Sequence, residues 1–254
     1  MRYGRFSKAI IGLVGATGLL FAQAQPQPKS QKELEAIQAM FQAQDPDSQI
    51  KAAQNLIQKF ADTDFKGLAM FVIANAYQNK NDPENTIIWA ERMLEVDKTS
   101  YQAGQAMLMI AKSLAIRTRE FDLDKEEKLG RAEKLAKEAQ AVFAKAPKPR
   151  PDVPDDQWEA AKRDATSFSH EALGLIAQVR KNHDVAIAEF KQAVEMAAQP
   201  DPGVLFRLAT SYAAAGKNAE ALATFDKVLA MPNLHPTIKS LAEQEKAKIS
   251  QGGK

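Results

Sequence analysis

Residues 208–225 read LATSYAAAGKNAEALATF, and the placing of these alanines around one tyrosine, one glycine and one phenylalanine decides the fold. Extended back to Pro202, the segment puts Leu205, Leu208, Ala209 and Tyr212 at i, i+3, i+4 and i+7, which is one face of a helix. Gly216 interrupts the pattern, as a residue that tolerates positive φ does at a helix end. A second apolar face follows with Ala221, Leu222, Phe225, Val228 and Leu229. Two amphipathic helices joined by a tight turn make a hairpin. Alanines where the helices cross let the backbones approach, and Tyr212 and Phe225 fill the wider gaps.

Other windows repeat this pattern. From Ser167, Leu173-Gly174, Ala186, Phe190 and Ala193 fall at the same offsets, with Ala177 in place of the tyrosine. From Gly67, the matching residues are Met70, Ile73-Ala74, Tyr77, Thr86, Ile87, Ala90 and Met93-Leu94. The order of large and small residues resembles the tetratricopeptide repeat, a helical hairpin of 34 residues. In the last window the family's Leu-Gly is Leu208-Ala209 and its second small residue is Val228, while Pro232 stands one place early. Two more segments fit as divergent repeats. One runs from about Lys32 to Asp62, with Leu34, Ile37 and Phe41 facing Ala53, Leu56, Ile57 and Phe60. The other begins at Tyr101 with Met107, Leu108, Ala111 and Leu114, and inserts RTREFDLDKEEKLG before Ala132, Leu135, Ala136, Ala139 and Phe143.

The resemblance implies an all-α, right-handed α-solenoid of about five antiparallel hairpins over residues 31–250. A C-terminal capping helix, about Pro236 to Ser250, and a tail at 251–254 complete it. Local chemistry marks the helix starts. Asp45-Pro46, Asp82-Pro83 and Asp201-Pro202 each set a capping carboxylate before a proline at the first helical position. Ser30 with Glu33, and Asp156 with Glu159, have capping-box spacing. Four prolines in residues 146–154, APKPRPDVP, exclude a helix there. That strap is either a long loop within one solenoid, which we expect, or a linker between two halves.

The chain opens MRYGRFSKAIIGLVGATGLLFAQAQPQPKS. Arg2, Arg5 and Lys8 precede an uncharged apolar run from Ala9 to Ala22, and AQA at 22–24 suits cleavage. Residues 1–24 therefore read as a secretory signal, with Gln25 starting the mature chain and residues 25–30 a short linker. The alternative is an uncleaved tether, but the run is shorter than the roughly 20 residues a helix needs to span a bilayer. Export points to the periplasm or beyond it. Without the leader's three cations, 31 basic residues face 32 acidic ones, a formal charge of −1, so no basic excess points to nucleic acid. With no cysteine, disulfides, thiolate metal sites and a cysteine nucleophile are excluded.

Catalytic and metal patterns are weak. His170, His183 and His235 are unlike in context, and HEALG from His170 places Gly174 where a zinc helix needs its second histidine. Asp122, Asp124, Glu126, Leu129 and Glu133 fall at positions 1, 3, 5, 8 and 12 of a calcium loop, but Glu127 stands where that loop needs glycine. These acids read better as a solvated helix start. No catalytic residue, metal ligand or cofactor is assigned, and the chain is read as a non-enzyme.

The resemblance also implies a concave groove lined by the first helix of each hairpin, holding a protein or peptide partner. In this register its lining is Phe71, Asn75, Gln78 and Asn79; Gln105, Met109 and Lys112; Glu171, Leu175 and Gln178; and Phe206, Thr210 and Ala213. Amides pair with an extended backbone, and Phe71, Met109, Leu175 and Phe206 offer apolar anchoring. For Phe71 and Phe206 the alternative is packing against the next hairpin. Phenylalanines at two places that the family's carboxylate clamp fills with cations disfavour that mode. The expected role is an extracytoplasmic scaffold or adaptor, with a subunit of an envelope or outer-membrane protein assembly complex as the alternative, and a metal-binding protein or enzyme as a lesser one.

Overall fold

The computed structural model describes residues 26–252. The leader reading falls outside these residues, as does the end of the tail. The described residues form α1 (Gln31–Gln42), α2 (Pro46–Lys59), α3 (Lys66–Asn79), α4 (Pro83–Val96), α5 (Tyr101–Arg117), α6 (Lys125–Lys145), α7 (Asp155–Val179), α8 (His183–Met196), α9 (Pro202–Ala214), α10 (Asn218–Leu229) and α11 (Pro236–Gly252). Each odd helix up to α9 pairs with the next even one, giving five hairpins, and α11 covers the last against α9 and α10. The all-α solenoid expected from the repeat is the observed fold.

Caps behave largely as read. Asp45, Asp82 and Asp201 accept backbone N–H bonds at the starts of α2, α4 and α9, each followed by proline. Ser30 accepts from the Glu33 N–H, and Glu33 reaches back to the Lys29 N–H at 2.6 Å. Its other oxygen accepts from Thr63 Oγ1 at 2.6 Å, so this buried carboxylate ties α1 to the loop after α2. One expectation fails: Asp156 and Glu159 form no capping box, because α7 starts at Asp155 after Pro154 and has no side-chain cap. Proline fixes an extended approach that makes the cap unnecessary for chain direction. Glu159 turns to Lys162 at 2.7 Å instead.

The hairpin turns repeat in three places. Asn81, Lys181 and Gly216 take φ of 55°, 60° and 74°. Around them the N–H groups of Asp82, Asn182 and Lys217 reach back to the carbonyls of Tyr77, Ala177 and Tyr212. This is the Schellman ending, and it satisfies helix carbonyls that would otherwise lack donors. Gly216 was legible as such a stop. The asparagine and lysine serve the same conformation with a side chain attached.

Packing between hairpins sets the layers. α5 packs on both α3 and α7, and α9 on α11, whereas no two even-numbered helices pack to that extent. Helices that touch along the stack form its shorter side, so the odd helices make the inner layer. The largest core joins α3 through α9, running from Met70 through Phe143 and Phe190 to Leu208. It continues across the proline strap. Trp158 on α7 is buried and donates its indole N–H to the Ala146 carbonyl at 3.2 Å. Tyr101 lies between Phe143 and Trp158, with ring centroids 5.3 Å from each.

Candidate binding groove

The groove read from the sequence lies on α3, α5, α7 and α9. A helix repeats its face every three to four residues, so Phe71, Asn75, Gln78 and Asn79 share one stripe of α3. Asn75 and Asn79 are exposed, and Phe71 and Gln78 are half-buried. Gln105 on α5 and Phe206, Thr210 and Ala213 on α9 are likewise half-buried. These residues offer amide, hydroxyl and aromatic surface from the second, third and fifth hairpins.

The middle of the stripe is used differently. Met109 and Leu175, expected as open apolar anchors, are 7% and 5% exposed and belong to the central core. They face inward because α5 packs directly on α3 and α7 there. Lys112 and Glu171 form an ion pair at 2.8 Å between α5 and α7, with side chains only 13% and 11% exposed. Lys112 Nζ also stands 5.9 Å from the centre of the Phe168 ring. In such a partly dehydrated place, removing either charge leaves its partner costly to bury. The two charges offset each other between α5 and α7.

Gln178 is an internal strut. Its Nε2 donates to Ser211 Oγ at 2.9 Å and to the Arg207 carbonyl at 3.2 Å, joining α7 to α9. Phe206 meets the buried Phe225 edge-on at 5.7 Å, so one side of its ring is packed while the residue remains half-exposed. Phe206 therefore packs as its alternative reading expects, while part of the residue stays open. Sequence reasoning missed Phe168 and Ser211 here. Phe168 is three residues before Glu171 on α7, so the helical period alone would have placed the two on one face.

Electrostatics near the groove come from burial and caps. Burial, with Asp164 nearby, pushes the Tyr101 phenol up to about 12. Burial opposes ionisation of Asp97, but hydrogen bonds from Ser100 and Thr99 outweigh it and hold the carboxyl below its usual range. The acids that resembled a calcium loop are tied to cations: Asp124 to Lys128 at 2.8 Å, Glu126 to Arg180 at 2.9 Å, and Glu133 to Arg180 at 2.6 Å. His170 Nδ1 meets Glu189 at 2.7 Å, and no third carboxylate, histidine or cysteine joins them into a metal cluster among the described residues.

An unforeseen ladder runs along the turn edge. The acid at the second position of α2, α4 and α8 meets a cation of the following hairpin: Asp47 with Lys80, Glu84 with Arg117 at 3.7 Å, and Asp184 with Lys217 at 2.7 Å. Asp47 to Lys80 and Asp184 to Lys217 are each separated by 33 residues, and Glu84 to Arg117 by the same interval. A fixed acid-to-base interval is visible in a sequence, but only the stacking of hairpins gives it meaning.

The thermophilic TPR protein TTC0263 of Thermus thermophilus aligns over 84% of this chain and 93% of its own, with 15% identity and a TM-score of 0.55. The MamA protein aligns over 85% and 94%, with 15% identity and a TM-score of 0.49. At such identity the first likeness establishes the fold alone, that of tetratricopeptide-repeat proteins; the second carries no argument. No protein-family model matches the chain, and no curated protein matches it by sequence.

Proposed function

We propose that this chain is a non-catalytic extracytoplasmic scaffold whose inner helix layer holds a segment of another protein. The observation that carries the reading is the lining: exposed Asn75 and Asn79 stand beside half-exposed Phe71 and Gln78 on α3, with Phe206 and Thr210 on α9. Free amides exchange hydrogen bonds with an extended backbone, and aromatic faces bury its side chains. Lys112 and Glu171 offset each other's charge between α5 and α7, so that pair offers no net cation to draw a polyanion. Export is supported by the basic start, the apolar run and the AQA site at 22–24, and the periplasm is its proposed destination.

The test is capture in the native host's envelope. The chain from Gln25 is crosslinked, and retained proteins are identified by mass spectrometry for wild type and for N75A/Q78A/F206A. A specific protein lost only in the variant, at unchanged helicity, is the expected result. Equal capture by both moves the site off this face. Fractionation of the tagged full chain checks export, and cytoplasmic retention without cleavage overturns that part of the reading.

A further inference from the structure

Arg207, one residue beyond Phe206, is the only charged residue of α9, and its guanidinium takes no part in the charge pairing of the fold. On the inner helices α3, α5, α7 and α9, the cations Lys112, Arg117, Lys162 and Arg180 each meet a carboxylate. Lys66, the first residue of α3, and Arg163, exposed on α7, do not. Arg207 stands apart from these because it is half-buried within the groove stripe itself, and no carboxylate among the described residues forms an ion pair with it.

Its place is firmly set. The Arg207 carbonyl accepts from Gln178 Nε2 at 3.2 Å, Thr210 Oγ1 at 2.9 Å and Ser211 Oγ at 2.8 Å, which fixes its backbone where α7 meets α9. Val204, Leu205, Leu208, Ala209 and Ser211 are the buried residues of α9. At about 100° per residue, Phe206, Arg207 and Thr210 fall on the other half of the helix. Thr210, four residues after Phe206 and three after Arg207, adjoins both along that half. The carboxylates at hand are engaged elsewhere: Glu171 on α7 with Lys112, and Asp201 with the Gly203 and Val204 N–H groups.

A guanidinium held partly out of water without an anion keeps its full charge for an incoming group. A carboxylate that reaches it there meets two parallel N–H donors in a medium less polar than bulk water. We propose that Arg207 sets the specificity of the groove at its last hairpin, taking an aspartate or glutamate side chain of the bound segment while an apolar side chain of the same segment rests on Phe206. The proposal rests on the groove reading and adds to it the chemistry of the partner. A single cation beside an aromatic ring suits an acidic and apolar peptide, and not a nucleic acid, whose binding draws on many phosphate contacts.

The test is an array of random octapeptides, acetylated and amidated so that no terminal carboxylate is present, probed with the chain from Gln25. Wild type is expected to enrich peptides in which Asp or Glu stands within two or so residues of Leu, Ile, Val or Phe. Replacing that acid by its amide in an enriched peptide should weaken wild type about tenfold, as loss of a charged hydrogen-bonded pair does. The same replacement should leave binding to R207Q nearly unchanged, at wild-type helicity and Tm. R207E should turn the preference at that place toward lysine. Enriched peptides without an acid, or an equal loss on amide replacement in wild type and R207Q, overturn the proposal and leave the groove reading standing. No enrichment at all, or peptide binding that F206A and N75A/Q78A/F206A leave intact, overturns the groove reading and this proposal with it.

Discussion

The hairpin α7–α8 and the hairpin α5–α6 make the same contact by different routes. In the first, the Phe190 ring lies against Gly174, where an added Cβ would come within 2.6–2.8 Å of it. In the second, Phe143 covers Gly104, and an added Cβ would come within 2.5–2.9 Å. Both rings are fully buried. Sixteen residues separate glycine from phenylalanine in α7–α8 and 39 in α5–α6. The close crossing of small against large residue is thus kept while the connection is free to lengthen, because packing constrains backbone distance and not loop length. Loop-closure entropy rises only slowly with length, so the insertion is tolerated.

The largest effects test whether the two crossings are equivalent. Phe143→Ala and Phe190→Ala should each destabilise the chain by about 3–5 kcal/mol, through lost transfer and an unfilled cavity. Denaturant melts check this. A loss at Phe143 far below that at Phe190 would break the comparison.

Adding volume comes next. Gly104→Ala and Gly174→Ala should each cost about 1–3 kcal/mol, since the ring must shift in a packed core. Gly174→Ala combined with Phe190→Leu should recover part of that loss, and a strictly additive double variant would show that the crossing is not the cause. At the turn, Gly216→Ala should cost about 1 kcal/mol, because φ of 74° disfavours a Cβ even though the space around it is open.

The aromatic joint is particular to the middle hairpin. Tyr101 should titrate near 12 in the folded chain by ultraviolet difference spectroscopy. Its raised value means that its contribution is complete below about 10, the ordinary phenol value, and is lost as pH rises toward the folded value. Trp158→Ala should open the site and return the titration toward 10. An unchanged titration would dissociate Trp158 from Tyr101's burial.

The smallest effects belong to the caps. Asp82 is held below the usual carboxylate range by the Asn85 side chain and by backbone N–H donors. Its contribution is therefore present above about 3.9, the ordinary value, and is lost as pH falls through the depressed one. Asp82→Ala should cost about 1 kcal/mol at neutral pH, and the difference from wild type should shrink in acid. A constant difference down to full protonation would point to lost packing in place of the cap.

Much of this was legible. Asp45, Asp82 and Asp201 declared their helix starts because a cap and a following proline are local chemistry. The caps at Ser100 and Asn182 passed unread, lacking that proline, although their side chains accept in the same way. The Gly104–Phe143 crossing was missed for another reason. A fixed repeat interval starting at Tyr101 puts Leu108 at the glycine place, and lengthened helices move the true contact a turn away. In the candidate site, the stripe on α3 was read with its exposed amides in place, whereas Met109 and Leu175 were assigned to open surface that does not exist in the middle of the layer.

Sequence alone determined the helical hairpins, their order and most of their ends, because periodicity, capping and turn conformation act within a few residues. Tertiary structure alone decided which groove positions remained open, that Lys112 and Glu171 would neutralise each other, and that Phe121 and Leu123 would stand in solvent. Those outcomes depend on how closely α5 approaches α3 and α7 and on the ion pairs to Arg180 and Lys181. They join residues tens of positions apart, and no local pattern encodes such distances.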